Sequence, residues 1–399
     1  MSLLRSVELA PRDPILGLNE AYAADPRPHK VNLGVGVYHD AEGRLPLLRA
    51  VREAEQAMLG EPQPHGYLPI DGMPAYGKLV QALVFGADAE VVDGQRVVTM
   101  QAVGGTGALK VGADFLHQIA PSSRVAISTP SWANHRGIFE GAGFEVVNYP
   151  YYDGSTHGVD AEGMLAALDG FAEGTIVVLH ACCHNPTGVD LDGEQWARVI
   201  DRMRARALLP FLDIAYQGFG DGIEPDAAVI RQFAASGLPV FVASSFSKSF
   251  SLYGERIGAL SVVTASRDEA TRVRSQLKRV VRTNYSNPPI HGAALVTRVL
   301  QSTELRALWV DELTQMRNRI RGMRKELVTR LASRGVAGDF SFIERQRGMF
   351  SYSGLSAGQV ARLAEDFGIY AVSSGRICVA ALNEDNLDTV VDAIAAVSG

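Results

Sequence analysis

Short apolar runs rich in Val and Ile recur through the middle of the chain, at 96–103, 124–130, 175–183, 208–219, 239–246 and 257–264. They are apolar on both sides rather than alternating, the pattern of strands covered on both faces. Between them the period lengthens to that of helices, as after residue 104 and from about Gly193 to Arg206. Strand and helix in alternation predict a mostly parallel sheet wrapped in helices. The last third differs. Leu313, Met316, Ile320, Met323, Leu327 and Leu331 recur at helical spacing with Arg and Lys between them, which predicts one long amphipathic helix over 308–336. A shorter αβ set follows, with a strand at 376–382. The first forty-odd residues lack an alternation of their own and are expected to pack with this last part. The fold class is therefore α/β. The expected division is a large domain at 46–315 and a smaller α/β domain made of 1–45 and 316–399.

Composition narrows the partners. The chain has 399 residues, 47% hydrophobic and 21% charged, with a formal net charge of -6. That balance suits a soluble enzyme with a large core and argues against nucleic acid or an anionic membrane as the main partner. No apolar run reaches transmembrane length. The N-terminal "MSLLRSVELAPRDPILGL" has no long apolar segment and is neither secretory signal nor transit sequence, so cytoplasmic residence is expected. Three cysteines give no disulfide framework. Cys182 and Cys183 in "HACCHN" are adjacent, so on a strand they diverge, and they are expected to be buried thiols rather than metal ligands.

Chemistry concentrates at strand ends. Gly104-Gly105-Thr106-Gly107 joins a strand to a helix, where backbone N–H groups and the helix dipole suit an anion; a plain tight turn accounts for it equally well. Asp213 ends the strand in "LLPFLDIAYQGF", where open α/β sheets bind ligands, although a loop-fixing role is commoner for a single Asp. Asn185-Pro186-Thr187-Gly188 is a turn that can present an amide. Lys248 in "SSFSKSFSLYGERIGA" follows a buried strand, with Ser245, Ser247 and Ser249 around it and Arg256 eight residues on. A desolvated lysine beside a second cation has a lowered pKa and forms Schiff bases. Pyridoxal phosphate (PLP) suits such a lysine, since it needs an acid near its ring nitrogen and an anion site for its phosphate.

Nearly the whole chain resembles the fold-type I, class I PLP aminotransferases of the aspartate/aromatic subgroup. The segments that carry this are "NLGVGVYHD", "GYLPIDGMPAYG", "GGTGAL", "PSWANH", "HNPTG", "DIAYQGF", "SFSKSFSLYGERIGA", "RTNYSNPP" and "SSGRICVAAL", in family order. The resemblance implies that Lys248 holds PLP as an imine and moves the substrate proton. It implies that Asp213 pairs with the ring nitrogen, with His180 behind it, and that Tyr216 and Asn185 bond the ring oxygen. Trp132 would stack on the ring. Gly105, Thr106, Ser245, Ser247 and Arg256 would hold the phosphate, joined by Tyr67 from a neighbouring subunit. Arg376 would clamp the substrate α-carboxylate, Arg282 of a second subunit would meet a distal carboxylate, and Gly36 would ride on an N-terminal flap. A homodimer with shared active sites, and cis bonds before Pro130 and Pro186, follow from the same resemblance.

The subgroup divides by substrate. His39 stands where aspartate-specific members often have lysine, Gly66 where they often have Asn, and Leu45 where they often have Thr. A less polar rim lowers the cost of desolvation beside an aromatic ring. Val37, Thr106 and Asn287 look aspartate-like. The expected activity is ping-pong transamination of Phe, Tyr and aspartate with 2-oxoglutarate and glutamate; the alternative is an aspartate aminotransferase with little aromatic activity. A PLP decarboxylase or C–S lyase would not need Arg282, a PLP-binding regulator would need a further segment, and a dinucleotide dehydrogenase would need GxGxxG.

Overall fold

Seven strands assemble into one sheet, and burial explains the composition of all but the edge strand Glu145–Pro150, which no apolar run predicts. They are β1 (Val97–Val103), β2 (Arg124–Thr129), β3 (Glu145–Pro150), β4 (Ile176–His180), β5 (Leu209–Ile214), β6 (Val240–Ser245) and β7 (Ile257–Val263). The computed structural model describes residues 3–10, 16–336 and 338–398, so the N-terminal stretch read for a leader is described only in part. The sheet order is β1-β7-β6-β5-β4-β2-β3. Strand β7 runs antiparallel to both neighbours, and the other pairs are parallel. Along β5, Phe211 enters one apolar layer and Leu212 the other. Both faces are therefore covered, and apolar side chains are needed at successive positions.

Register sets the site. His180 at the end of β4 lies opposite Asp213 near the end of β5, and Asp213 lies opposite Ala243 of β6. The C-terminal ends of these parallel strands thus meet at one edge, where α/β sheets take ligands. Helix α1 (Gly104–Ile119) starts at that edge from β1, and α2 (Ala133–Glu140) starts beyond β2. The strands end earlier than their apolar runs suggest, at His180 and Ile214 rather than at 183 and 219. The residues beyond those points leave the sheet and turn toward the site.

The long helix α3 spans Thr303–Ser333. It begins before the expected 308 because the Ser302 hydroxyl accepts the Leu305 N–H at 3.2 Å. It stops before Gly335, whose φ is +64°. Leu313, Met316, Ile320, Leu327 and Leu331 are buried, and Met323 packs against the same core. Trp309 donates from its indole to Ser249 O at 2.6 Å, tying α3 to the Lys248 loop. The expected boundary at 315/316 falls within this helix.

Among the described residues three small pairings lie outside the main sheet, one of them the antiparallel pair of Tyr152–Asp153 with Gly158–Val159. Val31–Asn32 runs parallel to Ile369–Tyr370, and Phe350–Tyr352 runs antiparallel to Arg376–Cys378. The expected strand at 376–382 ends at Cys378 and continues as a 3-10 turn over Val379–Ala381. The N-terminal segment is stitched to these elements by Cys378 N–H to Leu33 O at 2.7 Å and His39 N–H to Ala380 O at 3.0 Å. Among the described residues no helix is long and apolar enough to cross a membrane.

Candidate active site

The sheet edge opens into a cavity of about 340 Å³ lined by Gly36, Gly105, Thr106, Trp132, His180, Asn185, Asp213, Ala215, Tyr216, Ser245, Ser247, Lys248, Tyr253, Arg256, Phe350 and Arg376. Every expected site residue except Tyr67 and Arg282 is there. Tyr67 is 96% exposed, and Arg282 is exposed beside Ser286, to which it donates a hydrogen bond. His39 is half-buried near Asp40 and Arg319, while Leu45 and Gly66 are exposed. None of these three lines the cavity within one chain.

Lys248 sits in the loop after β6 with its Nζ 4.8 Å from the centre of the Tyr216 ring. Burial pushes its pKa down to about 8; Asp213 opposes this, and Arg256 and Arg376 add to it. This is the environment its neighbours in sequence suggest, with burial the larger cause.

Asp213 is buried, which raises its pKa, but a hydrogen bond and the charge of His135 hold it below its ordinary value. His135 Nε2 lies 2.9 Å from Asp213 Oδ2, and its Nδ1 lies 3.0 Å from Ser131 Oγ. The residue behind Asp213 is therefore His135 of α2, not His180. His180 lines the cavity, its ring centre 4.9 Å from that of His135 and 4.4 Å from that of His184. Burial and His135 push His180 down to about 3, so it is neutral, and its Nδ1 has no protein partner. "PSWANH" contains His135, but only the helical turn of α2 brings it to Asp213.

One end of the cavity is built for an anion. Gly104 (φ +70°) lets β1 turn directly into α1, whose first N–H groups have no partner within the helix. Arg256, itself left-handed at φ +52°, donates to Ser247 Oγ at 3.3 Å and to Tyr253 O at 2.9 Å. A helix N-terminus, a guanidinium and serine hydroxyls together suit a phosphate.

Arg376 stands near Asn185 and the N-terminal segment around Gly34. It is 4% exposed, lies 4.2 Å over the Phe350 ring, and donates to Asn185 Oδ1 at 3.2 Å and to Gly34 O. Its Nε is buried without a partner, an opening for a carboxylate. Gly36 packs on Phe350; a Cβ there would lie 2.6 Å from Phe350 Cζ. Tyr253, which sequence reasoning passed over, accepts the Tyr38 N–H at 3.1 Å and so joins the N-terminal segment to the Lys248 loop. The bonds Thr129-Pro130 and Asn185-Pro186 are both cis.

The model of the family "aminotransferase class I and II" matches residues 28–394. The chain belongs to this family. It is 64% identical to an aspartate aminotransferase of Pseudomonas aeruginosa, covering 99% of each chain. It is 52% identical to an aromatic-amino-acid aminotransferase of Escherichia coli, covering 99% of this chain and 100% of that one. A crystal structure of the aromatic-amino-acid aminotransferase of Burkholderia pseudomallei, covalently bound to pyridoxal phosphate, superposes with a TM-score of 0.98 at 67% identity and complete coverage of both chains. The fold of this aminotransferase is the fold-type I architecture its motifs suggest.

The vicinal cysteines depart from expectation in one respect. The strand ends before them, and Cys183 is left-handed at φ +52°. Their sulfurs and an Asp226 oxygen therefore lie within 4.8 Å of one another rather than diverging. Asp226 uses its two oxygens to accept the N–H groups of Gly218, Gly220 and Asp221. The hydrogen bond with Cys182 lowers Cys183, but burial and the nearby carboxylates push it up to about 11, so this thiol stays protonated.

Proposed function

We propose that this aminotransferase uses pyridoxal phosphate to exchange the amino group of Phe, Tyr or aspartate with 2-oxoglutarate and glutamate by a ping-pong mechanism. We propose further that it works as a cytoplasmic homodimer, each subunit having a large domain at 46–315 and a small one at 1–45 and 316–399. The observation that carries the reading is a buried lysine, lowered to about 8, in a cavity that also presents an anion cradle and an unsatisfied guanidinium. Three free, buried cysteines fit a reducing compartment.

The residues fit the cofactor. Gly105, Thr106, Ser245, Ser247 and Arg256 would hold its phosphate, Trp132 its ring face, Asp213 its ring nitrogen, and Tyr216 and Asn185 its ring oxygen. Bound there, the cofactor supplies an electron-withdrawing ring that makes the substrate α-proton acidic. Asp213 stays ionised because His135 offsets its burial, and a carboxylate keeps a ring nitrogen protonated. Lys248, once free, is a base poised near neutrality that accepts the α-proton and returns it. Arg376 receives the α-carboxylate through its planar fork. Tyr67 and Arg282 would enter from the second subunit. Relatives of similar identity carry aspartate and aromatic names, which supports both donors.

The test is a half-reaction. The protein carrying PLP is mixed with aspartate or with phenylalanine, without a keto acid, and the absorbance of the Lys248-linked cofactor is followed. Both donors are expected to bleach it at comparable rates. Bleaching by aspartate alone identifies an aspartate aminotransferase, and bleaching by neither overturns the assignment. Lys248→Ala should retain cofactor and lose turnover.

A further inference from the structure

Arg324 lies on the buried stripe of α3 and is 2% exposed. Its Nη2 donates to Phe350 O at 2.8 Å and to Gly348 O, and its Nε donates to Ser351 Oγ at 3.2 Å. All three acceptors are neutral. Among the described residues no carboxylate pairs with it within 4.0 Å. Buried charges ordinarily have a counter-ion, and an apolar side chain of similar volume fills such a space without the desolvation cost. Packing therefore does not explain the guanidinium. Its three acceptors all fall on one short segment, residues 348–351.

That segment touches the site on three sides. Phe350 lies under Arg376, packs edge-on against Tyr216 with ring centres 5.9 Å apart, and abuts Gly36. The strand Phe350–Tyr352 pairs with Arg376–Cys378, with Tyr352 opposite Arg376. Arg347 N–H donates to Gly188 O at 2.6 Å, joining the segment to the turn that carries Asn185. A shift of Phe350 is thus a shift of the surface on which Arg376 rests.

We propose that Arg324 is a positioning residue for the substrate carboxylate: it fixes the backbone at Gly348 and Phe350, and the Phe350 ring then holds Arg376 in its binding orientation. The inference rests on the reading of Arg376 as the carboxylate site. Displacements of about 1 Å are enough to weaken such a site by an order of magnitude or more.

The experiment compares Arg324→Met, Arg324→Lys, Ser351→Ala and Arg376→Gln with the unaltered holoenzyme, measuring kcat and KM for aspartate and the retention of cofactor absorbance. Arg324→Met should bind PLP normally, raise KM about tenfold and change kcat less than threefold, with Arg324→Lys restoring part of the loss. Unchanged KM in Arg324→Met overturns the proposal, as does a fall in kcat and cofactor retention with KM unchanged. If Arg324→Met does not fold, Arg324→Lys and Ser351→Ala decide: each weakens the fork while keeping the charge, and each should raise KM, whereas normal KM in both overturns the proposal. Arg376→Gln separates the two readings. If it leaves KM unaltered, the carboxylate site is misassigned; if it raises KM while the Arg324 variants do not, only the positioning role fails.

Discussion

At the scale of single residues, the chemistry follows from where each charge is buried. Lys248 has an ordinary value of 10.5 and is held at about 8 in the folded chain. Below about pH 8 both the folded and unfolded forms carry the proton, and the folded protein bears the full cost of a buried cation. Between about 8 and 10.5 the folded form releases its proton first, so stability rises with pH; above that window both forms are neutral. Cofactor-free Lys248→Met should therefore be more stable than the cofactor-free parent below pH 8, by on the order of 3 kcal/mol. The difference should vanish by pH 10.5. Urea midpoints measured across that range test this, and a difference independent of pH would show that Lys248 is not desolvated as described. Lys248 could be read from its serines and Arg256, since those neighbours are local. His135 could not, because its role depends on a hydrogen bond to Asp213 across 78 residues.

At the scale of elements, the sequence was most legible where periodicity is strong and least where chain direction changes. Six of the seven sheet strands were found because their residues are mostly buried, and α3 because its stripe is regular; the edge strand Glu145–Pro150 is largely unburied and was missed. The strand ends were misplaced because Ala181, Cys182 and Cys183 are as apolar as the strand before them yet leave the sheet. Arg324 was read as a polar position, although its spacing from Ile320 and Leu327 puts it on the buried stripe. The junction of β1 and α1 shows what such a turn demands. Gly104 is at φ +70°, and a Cβ there would press on the Arg256 guanidinium, reaching within 2.9 Å of its Cζ. Gly104→Ala should therefore strain the turn by about 1 kcal/mol and displace Arg256. The expected result is a PLP dissociation constant raised about tenfold in a protein that remains folded. Titration of the cofactor-free variant with PLP measures it, and unaltered affinity would remove Arg256 from the phosphate site.

At the scale of the whole molecule, two residues proposed for the site lie outside the cavity of one chain. The cavity holds the groups proposed for the cofactor and the α-carboxylate, while Tyr67 and Arg282 stay on the surface. If a second copy supplies them, a chain defective in Lys248 and a chain defective in Arg282 should complement each other. Lys248→Ala removes the reaction in its own site but still offers Arg282 to its neighbour. Arg282→Ala keeps its own Lys248 and lacks only what the neighbour provides. After unfolding and refolding of an equal mixture, about half of random dimers are mixed, and each mixed dimer contains one site with both groups intact. Aspartate turnover should then rise from the low level of either variant alone to about a quarter of the unaltered enzyme. Phenylalanine as donor gives an internal control: it has no distal carboxylate, so its half-reaction should be little affected by Arg282→Ala and should gain little from mixing. Recovery with aspartate and not with phenylalanine would place Arg282 across the subunit boundary as the dicarboxylate contact. Failure of the mixture to recover, with mixed dimers shown by mass, would mean that each chain completes its own site and that Arg282 does so by a movement of the Arg267–Asn284 helix.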